Sequence, residues 1–410
     1  MFVLENENTG HPIKIWLRDQ SDLEEGCLEQ AYNLSNLPFL HGWVALMPDT
    51  HKGMGMPIGG VIAALDTIIP NAVGVDIGCG MGFVGTNITT AALKETQTGN
   101  GSIVQAIVGD ILRNIPVGFN RHKYAQPSYT LDMAADEMDK YERQTELIGQ
   151  IDAGYFQIGS LGGGNHFIEL QEDDDGLLGI MVHSGSRNFG KQVCDYFHSK
   201  ARELNAELKS PVPDHWRLAH LSTDTQDGKD YISWMNLALG FAFENRSRMM
   251  LAVKAILEKW VRGHLSMPIE YTDEINCHHN YASFERHQGK DVWLHRKGAT
   301  RAEKGELAVI PGAMGSYSYV VEGLGNSESF NTSSHGAGRL YSRKAAMQEF
   351  TVEQVMSDLN RAGVVLGKHN KKDVPEESRF AYKNIDEVME NQKDLVTPVK
   401  RLKTIGVVKG

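Results

Sequence analysis

The chain of 410 residues carries 41 Lys and Arg against 52 Asp and Glu, a formal net charge of −11. Its hydrophobic fraction of 41% and charged fraction of 23% are typical of a globular protein and exclude a disordered chain. No apolar run reaches the roughly 18 residues of a membrane-spanning helix, which excludes a membrane protein. The start, MFVLENENTG, lacks the features of a signal peptide, so we expect a cytoplasmic protein.

The four cysteines, Cys27, Cys79, Cys194 and Cys277, are too few and too scattered for a disulfide framework. We therefore expect thiols or metal ligands. No Pro- and Ser-rich linker, tandem repeat or low-complexity tract divides the sequence. This favours one compact domain over residues 1–410.

Helix and strand patterns alternate along the chain. Ser21 followed by Glu24 has the spacing of a capping box and predicts a helix start. Residues 236–261 carry apolar side chains at helical spacing and predict a long helix. Thr351 followed by Gln354 predicts another helix start. The β-rich runs are WVALM (43–47), IGGVIAA (58–64), DVWLH (291–295), LAVIP (307–311) and YSYVV (317–321).

A hairpin pattern brings two histidines together. The runs GNHFIEL and LLGIMVHSGSR flank the polar segment QEDDDG at 171–176. If the turn centres on residues 174–175, His166 lies directly opposite His183. If the turn lies one residue later, His183 faces Ile168 and still shares a face with His166. Two imidazoles on one face suggest metal ligands, with two unrelated surface histidines as the alternative.

Two further segments offer metal ligands. GVDIGCGMG places Asp76 and Cys79 three residues apart in a glycine-rich loop that can curve around an ion. A thiolate beside a carboxylate suits a divalent transition metal, although a buried free cysteine gives the same pattern. In EINCHHNY, His278 and His279 point in different directions, so one of them is expected to join the site. These residues suffice to bind one or two ions, and a pair of neighbouring ions is a known arrangement for phosphoryl transfer. The softness of the ligands alone favours zinc.

The segment NTSSHGAGRLYSRKAAMQEF reads as a small-residue loop that enters a helix. Arg339 and Arg343 are then at positions i and i+4 on one helical face and predict an anion site. His335 stands at its mouth, where an imidazole nitrogen can accept a phosphoryl or nucleotidyl group. A histidine that only hydrogen-bonds the anion is the alternative. Because the chain is acidic, contact with nucleic acid should be confined to such a basic patch.

Eight ordered motifs resemble those of the RtcB-type RNA ligase family: MPDTHKG, VGVDIGCGM, GNHFIEL, HSGSR, NCHHN, PGAMG, SSHGAGR and the terminal VVKG. The resemblance runs from the N-terminus to Gly410. It implies an α+β fold in which packed mixed sheets are flanked by helices in a single domain. It also implies a GTP-dependent ligase that joins RNA 3′-phosphate or 2′,3′-cyclic phosphate ends to 5′-hydroxyl ends. The implied metal is manganese, as two ions, which replaces zinc.

The resemblance assigns roles to individual residues. His335 corresponds to the histidine that the family guanylylates, and Glu169 and Lys409 to the groups that read the guanine. The implied metal ligands are Asp76, Cys79, His166, His183 and His279. The implied nucleotide contacts are Asn165, His166, Glu169, His279, Asn280, Pro311, Gly312, Ala313, Met314, Ser318, His335, Gly336, Ala337, Gly338, Tyr382 and Lys409. The implied RNA-phosphate contacts are Arg187, Arg339 and Arg343.

The sequence departs from the family pattern at two places. Ala313 stands where Ser is common, and Asn188 and Phe189 follow Arg187 where Gly is usual. These departures suggest a specialised RNA-repair paralogue that acts on cleaved tRNA or rRNA rather than on splicing intermediates. A repair or release-factor-like partner is a separate expectation. The alternative function is a metal-dependent RNA phosphohydrolase or cyclic phosphodiesterase without a covalent nucleotide. A non-catalytic RNA-binding protein is disfavoured because every implied ligand type is present.

Overall fold

The computed structural model describes residues 1–99 and 101–410. Within these ranges the chain forms twenty β-strands and eleven α-helices. The strands are β1 (Phe2–Leu4), β2 (Ile13–Ile15), β3 (Leu40–His51), β4 (Ile58–Ala64), β5 (Thr67–Ile68), β6 (Gly80–Thr89), β7 (Gln97–Thr98), β8 (Gly101–Ser102), β9 (Phe167–Glu172), β10 (Leu177–Ser184), β11 (Leu221–Ser222), β12 (Tyr271–His278), β13 (Asn280–His287), β14 (Lys290–Lys297), β15 (Ala299–Arg301), β16 (Leu307–Ile310), β17 (Tyr317–Gly323), β18 (Thr332–Ser334), β19 (Val365–Gly367) and β20 (Val396–Lys409). The helices are α1 (Glu25–Ser35), α2 (Pro70–Val73), α3 (Thr90–Glu95), α4 (Ile103–Asn114), α5 (Tyr129–Asp136), α6 (Thr145–Gln157), α7 (Arg187–Glu207), α8 (Gln226–His264), α9 (Arg343–Glu349), α10 (Val352–Ala362) and α11 (Ile385–Asn391).

Two large sheets organise the fold. One has six strands in the order β1-β2-β3-β4-β14-β13. The other has eight strands, ordered β12-β6-β10-β9-β20-β17-β16, with β19 paired to β20. Its outer strands β12 and β16 also contact each other, so the sheet nearly closes on itself. The predicted α+β fold of packed mixed sheets and flanking helices is confirmed.

The sheets are held by separate apolar layers. One layer joins the six-stranded sheet to β16, β17 and α11, and includes Val61 and Ile310. Another covers the opposite face of that sheet with α1 and α2. The eight-stranded sheet encloses its own core, which includes Met81 and Leu402, while α4 and α8 pack on its outside.

The longest helix, α8, contains the predicted 236–261 segment but begins ten residues earlier. The Thr225 side chain accepts a hydrogen bond from the Gly228 backbone N–H (3.2 Å) and caps its N-terminus. Its buried stripe, from Tyr231 to Val261, packs on α5 and α7 near its start and on the eight-stranded sheet near its end. Among the described residues, no helix is both long and apolar enough to cross a membrane.

Most of the other predicted elements are present. All five β-rich runs lie in strands except for Pro311, which follows β16, and Thr351 with Gln354 forms a capping box at the start of α10. The helix start at Ser21 is wrong. Asp19 caps a short 3-10 turn at residues 20–22, and α1 begins at Glu25. All four cysteines are free thiols.

The β9–β10 hairpin exists, but both predicted registers are wrong by one residue. His183 pairs with Phe167, because residues 174–176 form a three-residue loop instead of a two-residue turn. The Asp173 carboxylate stabilises this loop by accepting the backbone N–H groups of Asp175 (3.1 Å) and Leu177 (2.8 Å). His166 lies just before β9, so strand alternation does not fix its direction.

Candidate active site

The five predicted metal ligands lie together where β6, β9, β10 and β12 begin or end. The loop between α2 and β6 supplies Asp76 and Cys79, and His183 lies on β10. His166 immediately precedes β9, and His279 lies between β12 and β13. The structure therefore brings together residues more than 200 positions apart in the sequence.

The donor atoms of this cluster converge. The Cys79 Sγ lies 3.4 Å from His166 Nε2 and 3.3 Å from His183 Nε2. His183 Nε2 is 3.4 Å from His279 Nε2, and His166 Nε2 is 3.0 Å from Asp76 Oδ2. Ligands of one ion, with bonds of about 2.1 Å, lie about 3.0 to 3.4 Å apart. The spacing therefore fits metal coordination.

These atoms form two groups that share Cys79. One group is Cys79, His183 and His279, and the other is Asp76, Cys79 and His166. Within each group, the candidate ligand atoms lie within 4.8 Å of one another. Each of the two triads could hold a metal ion, and Cys79 belongs to both.

Contacts behind the cluster orient the imidazoles. His166 Nδ1 lies 3.0 Å from the Leu161 carbonyl oxygen, and His183 Nδ1 lies 3.2 Å from that of Asn165. These carbonyls accept the Nδ1 protons, so each Nε2 presents its lone pair to the cluster. Gly185 allows the close approach of Asp76, because a Cβ there would lie 2.2 Å from the carboxylate.

The protonation states also suit metal binding. Burial lowers the pKa of His183 and of His279 well below the usual range, so both imidazoles are neutral, the form that can bind a metal ion. Burial opposes ionisation of Asp76, but the hydrogen bond and charge of His166 outweigh it and lower the pKa of that carboxyl. Burial and the Asp76 charge raise the pKa of Cys79, so a metal ion must displace the thiol proton.

Arg246, which the sequence analysis did not single out, supports the cluster from below. Its guanidinium is buried on α8 and donates to the carbonyl oxygens of Gly78 (2.8 Å) and Ser184 (3.0 Å). It also lies 3.1 Å from His278 Nδ1, so His278 is turned away from the cluster, as expected for one of the two adjacent histidines. The sequence around Arg246 has the pattern of an ordinary helix. The supporting role of Arg246 is therefore visible only from its buried position in the structure.

His335 stands beside the cluster of predicted metal ligands. Its ring centroid is 4.7 Å from that of His279. His335 Nδ1 donates to Asp49 Oδ2 over 2.6 Å, and the same oxygen accepts the backbone N–H groups of His335 (3.1 Å) and Gly336 (3.3 Å). The lone pair on Nε2 is therefore free to act as a nucleophile. Asp49 belongs to the motif MPDTHKG, but the sequence analysis gave it no role.

The loop after His335 depends on close backbone contact. Gly338 has a φ of +75°, and a Cβ there would lie 2.2 Å from the Asp49 carbonyl oxygen. Only glycine satisfies both conditions without strain. The HGAG turn is thereby held against the strand that carries Asp49.

A cavity of about 450 Å³ opens beside His335. It reaches from the cluster of predicted metal ligands, where His183 lines it, to the C-terminal strand β20. The predicted nucleotide residues that line it are Asn165, Glu169, Pro311, Gly312, Ala313, Met314, His335, Gly336, Ala337, Gly338, Tyr382 and Lys409. A volume of this size suits a nucleotide.

Two predicted nucleotide contacts lie behind the cavity wall. The Asn280 amide donates to the Asp76 carbonyl oxygen (3.1 Å) and accepts the Gly298 N–H (2.7 Å). The Ser318 hydroxyl accepts the Gly312 N–H (3.0 Å). Both side chains hold the loops that carry the site. His166 and His279, also predicted at the nucleotide, lie in the cluster of predicted metal ligands.

The far end of the cavity carries opposite charges. Glu169 is buried, and burial raises its pKa to about 7. Its Oε2 accepts from Gln171 Nε2 (2.7 Å) and Thr404 Oγ1 (3.0 Å), which leaves Oε1 without a protein partner in the described ranges. The Lys409 ammonium is ion-paired with Glu377, a residue that the sequence analysis did not identify.

The three arginines predicted to bind RNA lie in different environments. Arg187 is half-buried and donates to Ser160 Oγ (3.0 Å) and the Gly118 carbonyl oxygen (2.7 Å). Arg339 pairs with Glu377 (3.3 Å). Arg343 is exposed at the cavity rim, and no ion pair or side-chain hydrogen bond engages it among residues 1–99 and 101–410.

The predicted helical pairing of Arg339 and Arg343 is wrong. The helix α9 begins only at Arg343, with Ser342 as its N-cap, and Arg339 lies in the irregular segment before it. Arg339 instead places its guanidinium 4.6 Å from the centroid of the Tyr382 ring. The two arginines therefore do not lie on one helical face as a joint anion site.

The sequence departures fall partly outside the cavity. Ala313 lines it, but Phe189 is fully buried and stacks on Phe241 with ring centroids 5.6 Å apart. Asn188 donates to Gln150 Oε1 (3.2 Å) on the surface. Phe189 thus serves core packing, and of these departures only Ala313 lines the cavity.

Comparison with known proteins agrees with this geometry. Residues 30–410 match the family described as tRNA-splicing ligase RtcB. The chain is 37% identical to the RNA-splicing ligase RtcB of Escherichia coli strain K12, over all of this chain and 99% of that protein. It is 32% identical to the tRNA-splicing ligase RtcB of Thermococcus kodakarensis, over 94% of this chain and 92% of the relative. Family match, near full-length similarity and the converged site together show that this chain belongs to the RtcB family of RNA-splicing ligases.

Proposed function

We propose that this protein joins RNA 3′-phosphate or 2′,3′-cyclic phosphate ends to 5′-hydroxyl ends, in tRNA splicing or RNA repair. It would use GTP and two Mn²⁺ ions and pass through a histidine–GMP intermediate. The observation that carries the proposal is His335. Its Nδ1 is held by a buried carboxylate, and its ring lies beside His279, a member of one of the two triads that could hold metal ions, and beside a nucleotide-sized cavity.

The residues that would hold the ions are those of the two triads. A carboxylate and neutral imidazoles accept manganese, and ions that must also bind triphosphate oxygens favour a harder metal than the thiolate alone suggests. Bound divalent ions would neutralise the triphosphate and polarise the α-phosphorus. The cavity walls would hold the remainder of the nucleotide.

His335 supplies the covalent step. Its Nε2 lone pair attacks the α-phosphorus of GTP, an N–P bond forms, and the bond to the bridging oxygen breaks to release pyrophosphate. The ring then carries a positive charge, which the Asp49 carboxylate balances across the Nδ1–H bond. Water opens a cyclic RNA end to a 3′-phosphate, and this phosphate takes GMP from His335. The 5′-hydroxyl then displaces GMP and forms the phosphodiester.

Two wider expectations accompany this activity. Residues 1–410 would act as one domain, because residues from Asp49 to Lys409 surround one cavity and cluster. The cluster needs a reduced Cys79, which favours the cytoplasm, where thiols remain reduced. A specialised repair role with a release-factor-like partner stays a prediction.

The test is covalent labelling. The protein is incubated with GTP labelled at the α-phosphate and with Mn²⁺, and is then separated under denaturing conditions. We expect an acid-labile, alkali-stable adduct that is lost in His335→Ala, while this variant still binds Mn²⁺ and still seals RNA with a preactivated 3′-guanylylated end. Label at another residue would contradict the mechanism. RNA-end hydrolysis without any label would favour the phosphohydrolase.

A further inference from the structure

The cavity contains two residues of opposite charge, Glu169 and Lys409, that lie close together but do not form an ion pair. Glu169 and Lys409 lie on adjacent antiparallel strands, where Val407 pairs with Glu169 and Lys409 pairs with Phe167. The two side chains are therefore diagonal neighbours on one face, within reach of a long lysine. Both are buried, with exposed fractions of 3% and 4%. Opposite charges so placed would pair with each other unless other groups hold them apart.

Other groups do hold them apart. Glu169 Oε2 is engaged by Gln171 and Thr404, as described above. The Lys409 ammonium is drawn to the other side by Glu377 Oε2. One free oxygen of Glu169 and the remaining N–H groups of Lys409 are thus left for a ligand.

Glu377 is itself firmly held. Its Oε1 lies 3.3 Å from Arg339 Nη1, and its Oε2 accepts the Tyr382 hydroxyl over 2.9 Å. Burial opposes ionisation, but the charges of Lys409 and Arg339 outweigh it and lower the pKa of Glu377. Glu377 is therefore a carboxylate with partners on both oxygens, fixed at the end of a 3-10 turn.

We propose that Glu377 is a positioning residue for purine selection, which keeps the Lys409 donor separated from the Glu169 acceptor so that a guanine edge fits between them. This inference rests on the proposed function, which makes Lys409 the donor to the 6-oxygen and Glu169 the acceptor of the ring and exocyclic N–H groups. Without the Glu377 charge, the Lys409 ammonium forms an ion pair with the Glu169 carboxylate. Neither group is then available to bind guanine.

Glu377 has a second consequence for the same site. Arg339 directly follows the HGAG turn that carries His335, and the Tyr382 hydroxyl accepts from Arg339 Nη1 (2.6 Å). The carboxylate therefore links the base-reading end of the cavity to the loop of the nucleophile. Its main action is nevertheless on Lys409, and this action can be isolated.

The test is the GTP concentration dependence of covalent labelling in a double-mutant cycle. We expect Glu377→Gln to raise the half-saturating GTP concentration at least tenfold, with the maximal labelling rate and the Mn²⁺ content changed less than threefold. In the Lys409→Met background, the same change should alter half-saturation less than twofold, since the lysine that it positions is gone. The matched control is Glu376→Gln at the preceding residue, which forms no ion pair with Lys409 in the described ranges and should leave half-saturation unchanged.

Two results would overturn the inference. One is wild-type half-saturation in Glu377→Gln, and the other is an equal rise in both backgrounds, which would mean a general structural role. If Glu377→Gln does not fold, Glu377→Asp keeps the charge and shortens its reach by one methylene. It should then give a smaller rise, again only when Lys409 is present. Failure of the proposed function is a different result, because the wild-type protein would then take no label from GTP.

Discussion

The most informative single change is Asp49→Asn, because it removes a charge and almost no volume. Asp49 is fully buried, and one of its oxygens, Oδ2, accepts three N–H groups. Two of these donors are backbone groups that cannot turn away. They will hold the amide oxygen of the asparagine at the Oδ2 position, so His335 keeps the tautomer with hydrogen on Nδ1. The change therefore tests the charge itself.

The magnitude follows from the lost charge assistance. The His335 Nδ1 to Asp49 distance of 2.6 Å is that of a charge-assisted hydrogen bond, which contributes about 1.5 to 3 kcal/mol. The full amount is needed only when the ring becomes positive during attack. At about 1.4 kcal/mol for each tenfold change in rate, guanylylation should slow by roughly 10- to 100-fold.

The assay is single-turnover labelling with saturating GTP and Mn²⁺, quenched in denaturant. Metal content should remain normal, because Asp49 is outside both triads. A modest loss of stability is expected, because the Asp49 Oδ1 has no partner and an amide NH₂ there would be a buried unsatisfied donor. Asp195→Asn, an exposed carboxylate paired with Lys191, is the control. A labelling rate within threefold of the wild type would refute the role of the charge.

Three further predictions concern the metal and the nucleotide. Cys79→Ser should weaken metal binding at both triads and abolish labelling, and normal metal content by elemental analysis would show the thiol to be a bystander. The pKa of Glu169 is raised to about 7, so GTP should bind more tightly as the pH rises through 7 and the acceptor ionises. Glu169→Gln should remove this dependence in binding titrations, and its persistence would assign the dependence to another group. Deleting Lys409 and Gly410 should raise the GTP requirement for labelling more than the Mn²⁺ requirement, whereas an unchanged GTP requirement would contradict the role of Lys409.

The sequence by itself determined which residue types are available and most of the regular structure. The five β-rich runs, the long helix and the Thr351 capping box depend on side-chain periodicity and local hydrogen bonds, which are encoded within a few residues. The cluster residues were also found, since their motifs are distinctive. The hairpin register was not predicted correctly. The Asp173 carboxylate selects a three-residue loop, which composition alone does not distinguish from a two-residue turn.

Only the tertiary structure decided the partners of the charged groups. Asp49 and His335 are 286 positions apart, and Lys409 and Glu377 are paired across separate elements. Arg339 appeared to be a free phosphate ligand on a helix, but a buried carboxylate and the Tyr382 ring engage it instead. Arg246 lies in a helix whose sequence pattern is ordinary. It supports the cluster only because the fold brings two backbone carbonyl oxygens within hydrogen-bond distance of its guanidinium. Burial makes such pairings obligatory, since an unpaired charge in the interior is costly, and the choice of partner depends on which elements the packed layers bring together.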